Sequence, residues 1–208
     1  MKELQKQFDM LQEKHGAKEL NSIYGGGYEN EPDFCFVFMN PTGKNIASDK
    51  KWQGIRYPWL GTKNIWKLFV EIGIISTELN TEIQSRKAEE WTVRFCEKVY
   101  KEVTKNKAYI TNLAKCTQPD ARHLNDNIYK EYLELFKQEM ELVKPKTMIL
   151  FGNQVSAIVL GQKIKVSEER KKERITGGIK TFAVFYPVGN GRFNMPKAIE
   201  DLKWIMKI

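Results

Sequence analysis

Short runs of consecutive apolar residues alternate along the chain with longer segments in which apolar residues recur at helical spacing. A short apolar run bounded by polar, glycine or proline residues is typical of a strand buried on both faces of a sheet. Each run here is followed directly by residues that favour a turn. The pattern predicts four strands, at residues 34–39, 108–111, 147–151 and 181–185.

Helical spacing fills the intervals between the predicted strands. The longest predicted helix covers residues 126–144 and is expected to end before Pro145, because the residue before a proline disfavours helical backbone. Its predicted apolar face consists of Ile128, Tyr132, Leu135, Phe136, Leu142 and Val143. Further helices are predicted at residues 64–74, 88–103 and 153–160, with an amphipathic helix at residues 1–16.

Strands joined by helices require right-handed crossovers and hence a largely parallel sheet. The predicted fold is therefore α/β, a three-layer α/β/α sandwich around a mainly parallel four-stranded sheet. Without repeats or a linker-like segment, residues 1–208 are predicted to form a single domain, with an N-terminal helix and connection at 1–30 and a core at 31–208. Ligands of open parallel sheets bind beyond the carboxyl ends of the strands, so the site is expected in those loops.

Composition narrows the classes of protein. With 208 residues, 41% of them hydrophobic, the chain can bury a core, which excludes a disordered chain or a disulfide-stabilised miniprotein. A net charge of +8 favours a polyanionic partner. Apolar runs are far shorter than a membrane span, so we expect a cytoplasmic protein with no membrane partner.

Metal-ligating residues are few and widely spaced. The three cysteines are far apart in sequence, and neither His15 nor His123 lies at ligand spacing from a cysteine. We expect no metal and no cofactor, although an all-carboxylate metal site stays open. The protein is expected to be a monomer.

Two asparagines, Asn40 and Asn112, follow the first two predicted strands, and the strand-end loops carry no paired carboxylates and no Ser/His/Asp set. These loops favour binding of a planar, hydrogen-bonding ligand, although asparagine also commonly ends a strand in an ordinary turn. Tyr57 and Trp59 suit stacking on a nucleobase or, alternatively, covering the edge of a core. The segment 189–193 is either a ligand-contacting loop or a hairpin-like surface loop.

Taken in order, these segments resemble the uracil-DNA glycosylase superfamily. Residues 36–43 (FVFMNPTG) are similar to its first motif, and residues 186–189 (YPVG) stand where its second motif lies. Between them, residues 57–61 (YPWLG), 109–116 (YITNLAKC) and 149–152 (ILFG) follow the same order. The resemblance covers residues 34–194. It implies a uracil-DNA glycosylase-like fold and a hydrolase of N-glycosyl bonds that flips bases and acts in DNA repair on single-stranded or duplex DNA.

The resemblance also implies roles for individual residues. Asn40 corresponds to the residue that positions the attacking water, and Asn112 to the one that reads the Watson–Crick edge of the base. Trp59, or alternatively Tyr57, corresponds to the stacking aromatic, and Tyr186 replaces the usual donor to the leaving base. Met39 is assigned to base binding. The residues assigned to DNA contact are Lys44, Lys115, Asn190, Arg192 and Phe193, of which Arg192 or Phe193 is expected to fill the gap left by the flipped base.

The motifs depart from the family pattern in three places. The first motif is Asn-Pro-Thr-Gly, one residue longer than the Asn-Pro-Gly of the mismatch-specific and single-strand-selective branches. The second starts Tyr186-Pro187-Val188 instead of His-Pro-Ser or Asn-Pro-Ser. Cys116 resembles one cluster ligand of the iron–sulfur branch, but the other ligand positions are absent. Three hypotheses follow: a glycosylase for uracil or another deaminated base, a catalytically altered nucleic-acid or nucleobase-binding protein of the same fold, and an enzyme of free nucleosides or nucleotides.

Overall fold

The structure is a computed structural model that describes residues 1–121 and 124–207, and a central sheet with helices on both faces runs through it. The strands are β1 (Gly26–Gly27), β2 (Phe34–Phe38), β3 (Ala108–Asn112), β4 (Thr147–Phe151), β5 (Arg174–Thr176) and β6 (Ile179–Val184). The helices are α1 (Lys2–His15), α2 (Asn64–Glu71), α3 (Thr77–Ser85), α4 (Val93–Lys105), α5 (Asp126–Val143), α6 (Asn153–Leu160), α7 (Val166–Glu169) and α8 (Met195–Ile205). Short 3-10 helices cover Ile46–Ser48, Ala88–Glu90 and Gly189–Asn194.

The sheet confirms the predicted fold class and extends it by two strands. Its order is β1-β3-β2-β4-β6-β5, and the inner four strands are parallel. The outer strands β1 and β5 pair antiparallel with their neighbours. They are only two and three residues long, too short to produce a hydrophobic period in the sequence.

Helices cover both faces of the sheet because successive residues of each inner strand point to opposite sides. In β2, Cys35 and Val37 belong to one buried cluster, and Phe36 and Phe38 to the other. The first cluster includes side chains of α1, α5 and α6, and the second includes side chains of α2, α3, α4 and α8. The Phe38 and Phe151 rings stack with centroids 4.3 Å apart, which joins β2 to β4 near the carboxyl edge.

Several boundaries differ from the prediction for local reasons. Helix α5 ends at Val143, since Lys144 adopts left-handed backbone (φ 53°) before Pro145. Helix α2 ends at Glu71, and the predicted 88–103 helix divides into the 3-10 helix Ala88–Glu90 and α4. Thr92 starts α4 by accepting a hydrogen bond from the Phe95 amide.

Two further points of the prediction need correction. Leu142 was placed on the buried face of the long helix, but it is 52% exposed. Helices α3, α7 and α8 were not predicted; α3 buries only two side chains, Leu79 and Ile83, and thus carries a weak apolar pattern. Helix α1 packs Leu4 and Phe8 into the core, as its amphipathic pattern indicates.

None of the helices in the described part of the chain is both long enough and apolar enough to cross a membrane.

Candidate functional site at the carboxyl edge of the sheet

A cavity of about 1670 Å³ lies where the inner strands end. The loops after β2, β3, β4 and β6 form one part of its wall, and residues 58–65 and 88–91 form another. Because the inner strands are parallel, their carboxyl ends meet at one edge and bring these distant segments together. The predicted site residues that line the cavity are Met39, Asn40, Lys44, Trp59, Asn112, Tyr186 and Asn190.

Asn112, the last residue of β3, presents an unpartnered donor in this wall. The residue is 2% exposed, and its Nδ2 group has no hydrogen-bond partner among the described residues. An unpaired buried donor costs about 1–3 kcal/mol, so the amide is suited to a ligand oxygen. Its backbone is fixed in the parallel ladder opposite Phe38.

Asn40 lies two residues beyond the end of β2, and both ends of its amide are hydrogen-bonded. The Tyr129 hydroxyl donates to Asn40 Oδ1 at 2.8 Å, and Asn40 Nδ2 donates to the Pro41 carbonyl at 3.1 Å. An amide cannot remove a proton near neutral pH, but its oxygen can accept a hydrogen bond from water. Asn40 is therefore suited to orienting a water molecule.

Trp59 lies in the cavity wall with left-handed backbone (φ 66°), which is rare for a bulky residue. Its ring packs edge-on against Phe38 at 4.9 Å. Hydrogen bonds from Thr62 Oγ1 (2.7 Å) and Trp66 Nε1 (3.2 Å) to its carbonyl hold this backbone in place. Strained backbone held by its surroundings is characteristic of functional sites.

Tyr57, the alternative stacking residue, does not line the cavity. Its ring packs 4.8 Å from Tyr100 and lies against Gly26, where an added Cβ would come within 2.3 Å of it. The Tyr57 carbonyl accepts a hydrogen bond from Asn45 Nδ2 at 2.9 Å. Tyr57 thus packs against Tyr100 and Gly26 and supports the loop that carries Trp59. Of the two aromatic residues, Trp59 is the one that lines the cavity.

Tyr186 follows β6 and packs edge-on against Phe38 at 6.3 Å. Burial raises the pKa of its hydroxyl to about 12, so the group remains a hydrogen-bond donor at neutral pH. The segment after it folds back closely, because an added Cβ on Gly191 would lie 2.2 Å from the Tyr186 carbonyl oxygen. Glycine at 191 therefore permits the 3-10 helix Gly189–Asn194 to pass beside Tyr186.

The predicted DNA-contacting residues divide between the surface and the core. Lys44 is exposed on the cavity rim. Arg192 and Phe193 lie on the 3-10 helix outside the cavity lining, with the guanidinium 4.5 Å from the ring, and Phe193 is 78% exposed. Lys115 requires a correction: its side chain is 0% exposed, and Nζ lies 2.6 Å from Glu139 Oε2. In this structure it contacts a carboxylate in the core, where no phosphate can approach it.

A comparison with known families identifies the family of this chain. A family model described as the uracil DNA glycosylase superfamily matches residues 54–203, well over half of the chain. The protein belongs to the uracil-DNA glycosylase superfamily. This confirms the resemblance given by the motifs. Trp59, Asn112 and Tyr186 lie inside the matched span, whereas Asn40 precedes it, so the case for Asn40 rests on its place in the cavity.

Several polar residues of this superfamily member's site were not predicted. Trp91 lines the cavity, and its buried Nε1 group has no hydrogen-bond partner in the described chain, as is also true of Trp59 Nε1. Tyr129 reaches Asn40 across 89 positions of sequence, and no local pattern indicates such a contact.

Among residues 1–121 and 124–207, no three His, Cys, Asp or Glu side chains form a group that could hold a metal ion; His123 lies outside the described residues.

Proposed function

We propose that the protein is a monofunctional DNA glycosylase of base-excision repair that hydrolyses the N-glycosidic bond of uracil or another deaminated base. The observation that carries the proposal is the unpartnered Nδ2 group of Asn112, in one cavity with Asn40, Trp59 and Tyr186. A deaminated base has a carbonyl oxygen where the parent base has an amino group. A buried donor such as Asn112 Nδ2 can donate a hydrogen bond to the carbonyl oxygen, whereas the amino group is itself a donor and cannot accept one.

The reaction follows from these positions. The base enters the cavity after rotating out of the helix, at a cost of a few kcal/mol that is lowest for mismatched or single-stranded bases. Trp59 packs on the base, and Asn112 donates to its oxygen. The bond between the sugar C1′ and the base nitrogen breaks, and its electron pair leaves with the base. Water oriented by Asn40 Oδ1 then forms the new C1′–O bond and releases its proton to solvent.

Stabilisation of the departing base supplies most of the rate enhancement in this scheme. Negative charge develops on the oxygens of the base as the bond breaks, so hydrogen bonds to them strengthen in the transition state. The Tyr186 hydroxyl and the backbone amides that follow Asn40 are the proposed donors. Asn40 itself contributes by placing the water, since its amide cannot act as a base.

DNA binding is proposed to use the basic rim of the cavity. Lys44 and Arg192 are exposed at or beside it, and they would attract phosphates in a salt-dependent manner. Phe193 is exposed at the tip of the adjoining 3-10 helix and is suited to fill the gap that the rotated base leaves. Met39 lines the cavity and is the further residue proposed to contact the base.

The test is a strand-cleavage assay on labelled single-stranded and duplex DNA that contains uracil, hypoxanthine or xanthine, followed by alkali. We expect scission at the lesion, with strong losses in Asn40→Ala and Asn112→Ala. Intact DNA at high enzyme excess, with lesion-specific binding retained, would instead indicate a catalytically altered base-binding protein. Tyr186-Pro187-Val188 at the second motif favours that second candidate. Turnover of free nucleosides without DNA cleavage would indicate a nucleoside-processing enzyme.

A further inference from the structure

Tyr129 is joined to the site by a hydrogen bond to Asn40. The residue lies on α5, is 0% exposed and belongs to the core cluster between α5 and the sheet, outside the cavity lining. Its hydroxyl donates to Asn40 Oδ1 at 2.8 Å. A buried phenol that contacts the proposed water-orienting atom, and does not line the cavity, can affect the reaction by fixing that atom.

The first turn of α5 is attached to the same edge of the sheet. The Asn125 side chain caps the helix by accepting from the Asn127 amide at 2.9 Å. Asp126 lines the cavity and accepts from Gln154 Nε2 at 2.6 Å, which links α5 to the start of α6. Tyr129 lies one turn further along α5, so its hydroxyl is held by the core on one side and by this anchored turn on the other.

The two hydrogen bonds of the Asn40 amide permit only one orientation of it. Rotation by 180° would place Oδ1 against the Pro41 carbonyl, two acceptors in contact, and would lose the bond that Nδ2 makes there at 3.1 Å. In the observed orientation Oδ1 uses one lone pair for Tyr129 and keeps the second for another donor. The Pro41 carbonyl thus selects this orientation of the amide, and the Tyr129 hydroxyl holds Oδ1 in place within it.

We propose that Tyr129 is a positioning residue, whose hydroxyl fixes the Asn40 amide so that Oδ1 orients the attacking water; this role rests on the proposed glycosylase function. Burial is the main cause that raises the pKa of its hydroxyl above the ordinary value for tyrosine, and the charged forms of Cys116, Tyr186 and Asp126 raise it further. It consequently remains a donor throughout the neutral range.

The first test compares Tyr129→Phe with Tyr132→Phe. Tyr132 is also buried on α5, one turn further on, and its hydroxyl has no hydrogen-bond partner among the described residues, so it controls for loss of a buried hydroxyl. Single-turnover excision of uracil should fall about 10- to 100-fold in Tyr129→Phe, with the Kd for DNA within about threefold of wild type. Tyr132→Phe should excise within about threefold of wild type. Equal rates in the two variants would overturn the positioning role and leave the glycosylase proposal intact.

The second test separates positioning from general support of the fold. In Asn40→Asp the phenol would donate to a carboxylate and stabilise its charged form, which lowers the pKa of the new acid. Adding Tyr129→Phe should therefore move the acid limb of the pH–rate profile to higher pH. A lower rate with an unmoved limb would overturn the proposal, because lost packing changes the rate and not the titration. If the wild-type protein excises nothing, the proposed function and this role are both refuted.

Discussion

Replacing Glu139 by glutamine tests the buried ion pair behind the site. Lys115 Nζ lies 2.6 Å from Glu139 Oε2 and 2.7 Å from Thr111 Oγ1, and it also donates to the Asn112 carbonyl. Tyr109 donates to the other carboxylate oxygen at 2.9 Å. The two charged side chains are 0% and 1% exposed. Glu139→Gln would leave a cation in the core without its counter-charge.

The expected loss follows from the burial of that cation. Removing one partner of a buried ion pair costs about 3–5 kcal/mol, because the remaining charge keeps its desolvation penalty. Burial already lowers the pKa of Lys115, and Glu139 opposes that shift. Without Glu139 the lysine pKa should fall further in the folded state, while the unfolded chain holds its proton up to about pH 10.4.

The sign of the pH dependence is fixed by this difference. Between the lowered folded pKa of Lys115 and its unfolded value, the unfolded state binds one proton more than the folded state. The free energy of unfolding of the variant should therefore rise with pH, by up to about 1.4 kcal/mol per pH unit. The free energy of unfolding of wild type should also rise with pH, but over a narrower pH range. Glu139 keeps the pKa of Lys115 in the folded state closer to its ordinary value.

The assay is urea unfolding of wild type, Glu139→Gln and Glu141→Gln at pH 7, 8 and 9. Glu141 lies on the exposed face of α5 and controls for loss of a carboxylate from the helix. Lys115→Met combined with Glu139→Gln should regain much of the lost stability, because no charge then remains in the core. The reasoning is refuted if the free energy of unfolding of Glu139→Gln is within about 1 kcal/mol of the wild-type value at pH 7. It is also refuted if the difference between these two free energies does not decrease as the pH rises.

Three further outcomes are expected. Asn112→Ala should reduce excision about 10- to 100-fold, as the loss of one donor to a buried acceptor implies, and a rate near wild type would remove Asn112 from base recognition. Lys44→Ala and Arg192→Ala should each lower the slope of log K for DNA against log salt by about 1, whereas Lys137→Ala, on exposed α5, should not. Tyr186→Phe should slow excision without changing the Kd for DNA. Because burial raises the pKa of Tyr186 to about 12, loss of the proton from this group should not lower the wild-type rate below about pH 11.

The inner strands and most helices were predictable because each has its own hydrophobic pattern within a few residues. The edge strands β1 and β5 were not, since two or three residues cannot show a period. Asn112 and Trp59 were predicted from their places after a strand and within an aromatic loop, and the structure puts both in one cavity. Lys115 was misjudged because its partner Glu139 lies 24 residues away on another element, and nothing local marks a lysine as buried.

Both proposed site asparagines are held from the same side of the sheet by α5. Tyr129 on this helix bonds the Asn40 side chain, and Glu139 on it holds Lys115, which bonds the Asn112 carbonyl. The two positions are ten residues apart, about 15 Å along the axis, so one helix supports both strand ends, whose separation is set by the β2–β3 pairing. A water-orienting oxygen and a base-reading donor must keep a fixed distance, because the base and the attacked C1′ are joined covalently. Placing both supports on one helix meets that requirement better than two independent loops would.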